Sequence, residues 1–453
     1  MIKKLSDFLA LYPGYTNVIL DNVRKNDYKR IGKSVYFDTT GGTLHPASLL
    51  TEYTELMNNC VLGNPHSTNG PSELSSYYVS EARKAILARY NADPNEYDVI
   101  FSQNASNAIL NLRYYRFVNG TLLLCMDNHN TVHGIRKIAR TARATVDYVP
   151  LTKRLRMAKD TLQQMLESGV GAGNKLFCYP AESNVSGVCH NLGYTTLAQD
   201  YGYDVLLDTA AYNALHKVDL SKVKPDFLPA SLYKMIGWPT GLGWLIIKIE
   251  KYAKLRKTHF AGGSNRFVSV KRNFDIPEIN HANFEDGTIA FNLVPIIPMA
   301  FKYLDALGDP TPRVYALVQY LNESLRDLSY KDKKVVVYTE KHNNDKVVFN
   351  IKKGNDVQSS IHFELAAKGA GISVREGCFC NPALGEIFLG YDVDKIIKGF
   401  KSFGNQSTVT QRDLKGFITN GGDGSIRASM HFFNNFNDVN TFISFVQKYL
   451  TKL

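Results

Sequence analysis

Tyr203-Asp-Val-Leu-Leu-Asp208-Thr-Ala-Ala211 is an apolar run of strand length that ends at a carboxylate and several small residues. Similar runs recur from about residue 98 to about residue 248, and helix-compatible stretches separate most of them. This alternation predicts an α/β domain with a mostly parallel sheet flanked by helices. The predicted strands are Asp98–Phe101, Thr121–Cys125, Thr145–Val149, Lys175–Tyr179, Tyr203–Leu207, Asp226–Ala230 and Gly243–Lys248, and the predicted helices are Ser106–Arg116, Val132–Ala142, Lys159–Leu166 and Tyr194–Tyr201.

The last third of the chain has a different pattern, which predicts a smaller α+β domain. Its predicted strands are Val335–Tyr338, Lys346–Ile351, Gly371–Val374 and Gly424–Ser429, and its predicted helices are Gln358–Ala367 and Asp438–Leu450. We expect a large domain over residues 36–300, a small domain over 301–453, and an N-terminal segment, 1–35, that packs on the small domain. Residues 404–424 are rich in Gly, Asn, Asp, Ser and Thr, which indicates a mobile loop.

Composition excludes several classes of protein. The 453 residues are 44% hydrophobic and 21% charged, so the chain can bury a large core and is not disordered. The formal charge of +11 is spread along the chain, and nucleic-acid binding is not expected. Six cysteines do not make a disulfide scaffold in so long a chain, and no apolar run is long enough for a membrane span. The first eleven residues do not resemble a signal peptide, so we expect a cytoplasmic protein without membrane attachment.

Two polar residues follow predicted strands where an α/β sheet binds its ligands. Lys234, in Ser231-Leu-Tyr-Lys234, stands before a turn rich in Gly and Pro. A lysine there could form a Schiff base with a planar ligand, although on this segment alone a surface lysine before a turn is the favoured interpretation. Asp208 could keep a pyridine nitrogen protonated, as pyridoxal chemistry requires, or it could cap the next turn.

Three other segments supply ligand-type groups at predicted strand ends. Asn104-Ala105-Ser106-Asn107 could bind a phosphate at a helix N-terminus or could be an ordinary helix cap. His129 could stack on a flat cofactor, although a lone histidine is usually structural or solvated. Asn184 could donate a hydrogen bond to a phenolic oxygen. The convergence of these groups with Lys234 and Asp208 favours one joint site.

Val374-Arg375-Glu-Gly-Cys378-Phe-Cys380-Asn-Pro382 places two thiols on a loop bounded by Gly and Pro. A thiolate on such a loop, near an arginine, is a usable nucleophile. Two alternatives remain open at this point. The thiols could be buried and inert, or they could bind a metal with Cys189-His190, although the spacing matches no usual zinc pattern. We expect no metal site.

The sequence resembles the class V, aminotransferase-like enzymes that depend on pyridoxal 5'-phosphate, and within them the cysteine desulfurases. It is most similar to the desulfurase domain of molybdenum cofactor sulfurases. The resemblance runs in order along nearly the whole chain. Its motifs are Tyr36-Phe-Asp-Thr-Thr-Gly-Gly-Thr-Leu-His-Pro46, Asn64-Pro-His-Ser67, Asn104–Asn107, Phe177-Cys-Tyr-Pro-Ala-Glu-Ser-Asn-Val-Ser-Gly187, Asp208, Tyr233-Lys234, Pro239-Thr-Gly-Leu-Gly243, Phe284-Glu-Asp-Gly-Thr288, Gly377-Cys-Phe-Cys-Asn381 and Gly424-Ser-Ile-Arg-Ala-Ser429.

The resemblance implies the fold of the aspartate aminotransferase-like transferases and a role for each matching residue. Lys234 would form the Schiff base and shuttle the substrate proton, Asp208 would pair with the ring nitrogen, and Cys380 would carry the persulfide. His129 would stack on the ring, Asn184 would lie near the ring oxygen, and Ala105, Ser106 and Ser231 would bind the phosphate. Thr288 would complete the phosphate site of the partner subunit in a homodimer. Arg427 would bind the substrate carboxylate, and Arg375 would stabilise the thiolate or the substrate. The role of Cys378 stays open.

The chain departs from the desulfurase pattern in three places. Many cysteine desulfurases have His where this chain has Tyr233 and Gln where it has Ala211, so one hydrogen bond to the ring oxygen would be lost. The phosphate turn also lacks its usual Gly. Molybdenum cofactor sulfurases continue into a second domain, whereas this sequence stops at Leu453, so we expect the sulfur acceptor to be a separate protein or a small molecule.

The resemblance implies a cysteine desulfurase that releases alanine from L-cysteine and holds the sulfur as an enzyme persulfide. Two alternatives stay open. One keeps the cofactor and makes the chain a C–S lyase or an aminotransferase-like enzyme. The other is an inactive sulfur-transfer partner or scaffold, which the departures at Ala211 and Tyr233 would motivate.

Overall fold

The computed structural model describes residues 4–169, 171–341, 344–410, 413, 417 and 422–453. Part of the loop predicted over residues 404–424 therefore lies outside the described residues. The chain divides into two compact units. The larger unit comprises Gly42–Glu182 and Cys189–Gly308, and the smaller unit comprises Met1–Gly41, Ser183–Val188 and Asp309–Leu453.

The larger unit is built on a seven-stranded sheet. Its order is Tyr97–Ser102, Gly243–Lys248, Phe227–Ser231, Tyr203–Asp208, Lys175–Pro180, Thr121–Cys125 and Thr145–Val149. Gly243–Lys248 runs antiparallel to both of its neighbours, and the other four pairings are parallel. The mostly parallel sheet is thus confirmed. Every residue of Tyr203–Asp208 is buried, as expected for a strand with both faces covered by helices.

Helices cover this sheet, and three of the described ones begin at a residue whose side chain caps them, namely Asn69, Asn104 and His129. Asn69 accepts a hydrogen bond from the Ser72 amide at 3.1 Å and starts the longest of them, with a proline in its first turn. The helices of the unit are Ala47–Asn59, Gly70–Arg89, Ala105–Leu110, Asn130–His133, Ile135–Thr141, Lys159–Glu167, Tyr194–Asp200, Leu232–Ile236 and Ile296–Ala306. Short 3-10 helices lie at Asn111–Tyr114, Tyr212–Ala214, Ile249–Lys254 and His281–Phe284, and Asn265–Ser269 pairs with Phe274–Pro277 as a hairpin.

The smaller unit has an antiparallel sheet. Its order is Ser329–Tyr330, Lys333–Val337, Lys346–Lys353, Ser425–Ser429 and Arg375–Gly377, with Asp356–Val357 paired to Lys346–Lys353. Val35–Tyr36 pairs separately with Ile372–Ser373. The helices are Leu5–Leu11, Val18–Asp27, Thr311–Arg326, Ser360–Gly369, Val393–Ser402 and Phe436–Lys452, with a π-helix at Leu384–Phe388 and 3-10 helices at Pro13–Tyr15, Lys29–Ile31 and Gln406–Thr408.

The N-terminal segment packs within the smaller unit. The Phe8 ring lies 4.9 Å from that of Phe436, and Asp21 forms an ion pair of 2.7 Å with the buried Arg313. The two units divide the chain after residues 41 and 308, whereas the sequence-based boundaries fall after residues 35 and 300. Ser183–Val188 belongs to the smaller unit because of its long-range contacts. No change in composition along the sequence indicates that this segment leaves the larger unit. None of the described helices is both long and apolar enough to cross a bilayer.

Candidate active site

Lys234 lies at the carboxyl edge of the large sheet. It is part of the short helix Leu232–Ile236, which follows the strand Phe227–Ser231 directly. Gly237 ends this helix with a φ of 85°, and a Cβ there would lie 2.3 Å from the carbonyl carbon of Leu44. Only glycine therefore fits, and its close packing fixes the turn that carries Lys234.

Asp208 ends the neighbouring parallel strand, so it lies at the same edge of the sheet as Lys234. Its side chain accepts a hydrogen bond from the Ala210 amide at 3.0 Å, and the residue is 7% exposed. The alternative that Asp208 caps the next turn is thus confirmed, and one of its two carboxylate oxygens makes the capping hydrogen bond. The other oxygen can still serve a ligand at the strand end.

His129 follows a third parallel strand of the same sheet. Its Nδ1 accepts a hydrogen bond from the Thr131 amide at 3.2 Å, which fixes the ring. Burial lowers the pKa of His129, the nearby Lys234 charge lowers it further, and Asp208 acts in the opposite direction. The three side chains are therefore close enough for their charges to interact. Burial and the Lys234 charge thus favour the neutral form of the imidazole near pH 7.

The predicted phosphate turn lies beside these residues. The Ala105 amide donates to the Ser231 hydroxyl at 2.7 Å, and the Ser106 hydroxyl lies 3.0 Å from that of Thr131. Asn104 caps the helix by accepting from the Asn107 amide at 2.9 Å. The capping interpretation is therefore correct for Asn104, and the Ala105 amide would have to exchange its partner in order to bind a phosphate.

Thr288 lies in a cavity of about 490 Å³ in the larger unit. Ser102, Gln103 and Asn107 line the same cavity, and the Asn64 side-chain amide donates to the Thr288 hydroxyl at 3.5 Å. The structure thus places Thr288 in a cavity next to the phosphate turn of its own chain. Its predicted contribution to a partner subunit stays a prediction.

The groups at this edge fit pyridoxal phosphate. They comprise an amine on Lys234, a buried carboxylate on Asp208, a neutral flat ring on His129 and hydroxyls on Ser106 and Ser231. This set matches what the cofactor needs: a lysine partner, an acid for the ring nitrogen, a stacking ring and phosphate ligands.

Arg427 is a buried arginine on the strand Ser425–Ser429 of the smaller unit. Its guanidinium donates to the Asn184 carbonyl at 2.7 Å, lies 3.4 Å from an Asp38 oxygen and stacks on the Phe379 ring at 4.7 Å. Burial lowers the pKa of Arg427 to about 10, so it remains charged at neutral pH. Its Nε has no partner among the described residues, although it is buried. An unsatisfied buried donor on a cation favours an anionic ligand such as a carboxylate.

Asp38 is a site residue to which the sequence analysis assigned no role. Arg375 binds it in a fork, with Nη2 at 2.6 Å and Nε at 3.2 Å, and Arg427 shares the same carboxylate. Asp38 lies within the motif Tyr36–Pro46 of the family resemblance, and that motif was the one feature of the sequence that could have indicated a role for it. Arg375 is therefore engaged with Asp38, and its predicted role toward a thiolate or a substrate stays a prediction.

The cysteine loop has an unusual backbone. Phe379 and Cys380 both have a φ of 54°, a conformation that residues other than glycine rarely adopt and that often marks functional sites. Cys380 is exposed, whereas Cys378 is half-buried with its Sγ 3.6 Å from the Tyr391 hydroxyl. Cys380 is thus the more exposed thiol of the loop, and it is not a buried cysteine.

Asn184 and Asn381 hold this loop in place. The Asn184 side chain donates to the Phe379 carbonyl at 2.7 Å and accepts from the Asn381 side chain at 3.1 Å. The Asn381 amide also donates to the Cys378 carbonyl at 2.9 Å. Asn184 therefore contacts both the cysteine loop and, through its carbonyl, Arg427. Its predicted hydrogen bond to the ring oxygen stays a prediction.

The alternative metal set of Cys378, Cys380, Cys189 and His190 does not form a cluster among the described residues. His190 instead lies 3.1 Å from Asp127 through its Nε2.

The fold and the lysine, carboxylate and imidazole at the sheet edge define an α/β enzyme of the kind that holds pyridoxal phosphate. A family model for aminotransferase class V matches residues 35–442, so the chain belongs to the class V aminotransferase family. Its relatives in this family depend on pyridoxal phosphate.

Two kinds of similar protein are found. The molybdenum cofactor sulfurase of Bos taurus is 31% identical over 97% of this chain and 53% of its own length, and that of Danio rerio is 31% identical over 93% and 54%. The chain thus spans about half the length of these curated relatives. A cysteine desulfurase of Thermococcus onnurineus superimposes with a TM-score of 0.78 at 20% identity, over 97% of this chain and all of that one. The cysteine desulfurase CsdA of Escherichia coli gives 0.75 at 17% identity, over 96% and 99%.

Proposed function

We propose that this chain is a cysteine desulfurase that depends on pyridoxal phosphate. It takes the sulfur of L-cysteine, releases alanine and holds the sulfur as a persulfide on Cys380. The observation that carries the proposal lies in the smaller unit: an exposed cysteine in a left-handed loop conformation, held by Asn184 and Asn381, beside the buried Arg427 with its unsatisfied Nε. The names of the curated relatives and of the structural neighbours support the same chemistry.

Each residue has a distinct task in the proposed reaction. Arg427 binds the substrate carboxylate, which supplies the acceptor that its Nε lacks. Lys234 holds the cofactor and moves the substrate α-proton at its Nζ. Asp208 keeps the ring nitrogen protonated, and the neutral His129 stacks on the ring. When bound, pyridoxal phosphate supplies the electron sink that stabilises negative charge at the substrate α-carbon.

The sulfur transfer is a nucleophilic displacement. The Cys380 thiolate attacks the substrate sulfur, so that a new S–S bond forms as the C–S bond breaks. The electron pair of the C–S bond stays with the substrate carbon, which takes a proton and leaves as alanine. The persulfide then passes its outer sulfur to an acceptor thiol or another nucleophile.

The test compares the two cysteines of the loop. We expect Cys380→Ala to lower alanine and sulfide release by at least about a hundredfold while the cofactor absorbance stays. The matched variant Cys378→Ala should retain most of the activity. Full alanine release by the Cys380→Ala variant would refute the persulfide role. Pyruvate in place of alanine would identify a C–S lyase, and a protein that binds the cofactor but leaves L-cysteine unchanged would identify a scaffold.

Lys234 is tested by absorbance. The Lys234→Ala variant should lack the visible absorbance of lysine-bound pyridoxal phosphate and should be inactive. If that absorbance persists, the lysine is misassigned.

The acceptor, the assembly and the location are further parts of the proposal. The molybdenum cofactor is a candidate acceptor because the curated relatives are named for its sulfuration. A separate protein or a small molecule is the alternative, and transfer of labelled sulfur from the persulfide to each candidate distinguishes them. We further propose a homodimer in the cytoplasm, and the six free cysteines favour such a reducing compartment.

A further inference from the structure

We propose that Glu182, Cys189 and His216 form a binding site for a zinc-type divalent cation in the larger unit. One ligand atom from each residue lies within 4.8 Å of the other two. Glu182 is buried, and Cys189 and His216 are half-buried. This site differs from the residues assigned to the cofactor and the substrate, and it departs from the sequence-based expectation that the chain has no metal site.

The backbone brings the three ligands together. Glu182 and Cys189 form an antiparallel bridge, and residues opposite each other in such a pair carry their side chains on the same face. The bridge is held by a hydrogen bond of 2.9 Å from the His190 amide to the Ala181 carbonyl. Arg156 binds the Cys189 carbonyl at 3.1 Å, which fixes that residue further. Two of the ligands are therefore positioned by rigid backbone.

The third ligand comes from the segment after the neighbouring strand. The His216 amide donates to the Tyr212 carbonyl at 2.9 Å, at the end of the 3-10 helix Tyr212–Ala214. The Tyr212 ring packs on the His216 imidazole with 4.7 Å between ring centres. The imidazole is thus held in place by packing, as the surroundings of metal-binding histidines usually require.

The chemistry of the three groups selects the cation. A thiolate, an imidazole and a carboxylate are the usual ligands of Zn²⁺, whereas Mg²⁺ and Ca²⁺ prefer oxygen alone. Zinc bonds of about 2.0–2.3 Å place tetrahedral ligand atoms about 3.5 Å apart, so small side-chain rotations close the present spacing. A dication also neutralises the charges of the Glu182 carboxylate and the Cys189 thiolate. The thiol proton passes to solvent when the metal binds.

Three protein ligands leave the fourth tetrahedral position to water. The site would join the ends of two neighbouring strands, because the Ala181 amide already donates to the Asp208 carbonyl at 2.8 Å. Metal binding would therefore brace the segment that begins at Asp208, and we expect it to stabilise the protein.

The experiment uses the full-length protein with its cofactor, after chelator dialysis, and Zn²⁺ and Co²⁺ as probes. The starting protein is the Cys378→Ala/Cys380→Ala variant, so that the loop thiols cannot bind the probe. We expect one equivalent of Co²⁺ to bind, with the visible bands of tetrahedral cobalt and a thiolate charge-transfer band in the near ultraviolet. Zn²⁺ should displace the cobalt and raise the thermal unfolding midpoint.

Substitutions then assign the ligands. Cys189→Ser should abolish the charge-transfer band, and Glu182→Gln and His216→Gln should each weaken Zn²⁺ binding by at least about tenfold. The matched control is Cys60→Ala, which removes another half-buried thiol of the same unit and should leave binding unchanged. Circular dichroism establishes that each variant is folded. Unchanged Zn²⁺ affinity in any of the three folded ligand variants would overturn the proposal, as would the absence of stoichiometric binding in the starting protein.

Discussion

Asp38 is the residue on which the arginine network depends, because a single carboxylate serves both Arg375 and Arg427. Arg427 is buried, and Asp345 also contributes negative charge near it. A buried guanidinium is stable only while such counter-charges remain. The family resemblance implied that Arg427 is a ligand of the substrate but gave no role to the carboxylate that positions it. The two residues are 389 positions apart, so no local pattern connects them.

We therefore expect Asp38→Asn to destabilise the protein and to weaken substrate binding. Removing one partner of a buried ion pair costs about 3 kcal/mol, since the remaining charge stays desolvated. The KM for L-cysteine should rise because Arg427 loses its orientation. Urea unfolding and steady-state kinetics measure the two effects. The control is Glu81→Gln, which removes an exposed ion pair with Lys84 and should leave the unfolding midpoint unchanged.

His133 makes the stability of the protein depend on pH. Burial, and then the nearby Arg136, lowers the pKa of His133 to about 4 from its ordinary value of 6.5. As the pH falls below 6.5, the unfolded chain binds a proton that the folded protein rejects, so stability is lost until the pH reaches about 4. At pH 5 the loss from this residue is about 2 kcal/mol relative to pH 7.

The prediction is tested by urea unfolding at pH 7 and pH 5. The His133→Gln variant should lose less stability over this interval than the wild type by about 2 kcal/mol. The variant His66→Gln, at an exposed histidine, should keep the pH dependence of the wild type. An equal slope in the His133→Gln variant would contradict the assignment.

At the scale of elements, the strands of the large sheet were predictable because buried parallel strands are short apolar runs. The predicted strands Thr121–Cys125 and Gly243–Lys248 have the observed bounds. Helix bounds were less accurate. The predicted helix Val132–Ala142 is two helices in the structure, Asn130–His133 and Ile135–Thr141. The first begins at Asn130 because the His129 ring caps it, and histidine is not among the usual cap residues.

The strand predicted over Gly371–Val374 shows a different limit of local patterns. The structure contains two short strands, Ile372–Ser373 and Arg375–Gly377, which pair with different partners. The first pairs with Val35–Tyr36 and the second with Ser425–Ser429. Pairing partners distant in sequence determine where each strand begins and ends, and apolar periodicity does not encode them.

The C-terminal helix Phe436–Lys452 depends on its capping box. The Asn435 side chain accepts from the Asp438 amide at 3.0 Å, and the Asp438 side chain accepts from the Asn435 amide at 3.1 Å. We expect Asn435→Ala to lower the free energy of unfolding by about 1 kcal/mol, because the Asp438 amide loses its side-chain acceptor. The control is Asn437→Ala, at an exposed position in the first turn of the same helix that is not one of the two capping-box residues, and it should be neutral or slightly stabilising. Urea unfolding of both variants distinguishes the cap from simple helix propensity.

At the scale of the whole molecule, Thr288 could bind the cofactor phosphate either in its own subunit or in the partner subunit of a dimer. The family resemblance implies that it completes the phosphate site of a partner subunit, whereas the structure places it in a cavity that Ser102 and Asn107 of its own chain also line. A threonine hydroxyl can donate to a phosphate from either chain. Symmetric homodimers often build their sites from both subunits, and subunit mixing separates the two arrangements.

Mixing the variants Lys234→Ala and Thr288→Val, each expected to be inactive at limiting pyridoxal phosphate, and reassembling them tests the shared site. If Thr288 acts across the dimer, each mixed dimer contains one site with both Lys234 and Thr288 intact, and random reassembly restores about a quarter of the wild-type alanine release. If Thr288 acts within its own chain, no site in the mixed dimer has both residues, and activity stays at the level of the separate variants. Light scattering establishes that dimers form, and the unmixed variants provide the baseline. A monomeric active protein would contradict the shared site outright, because each chain would then have to supply every phosphate ligand itself.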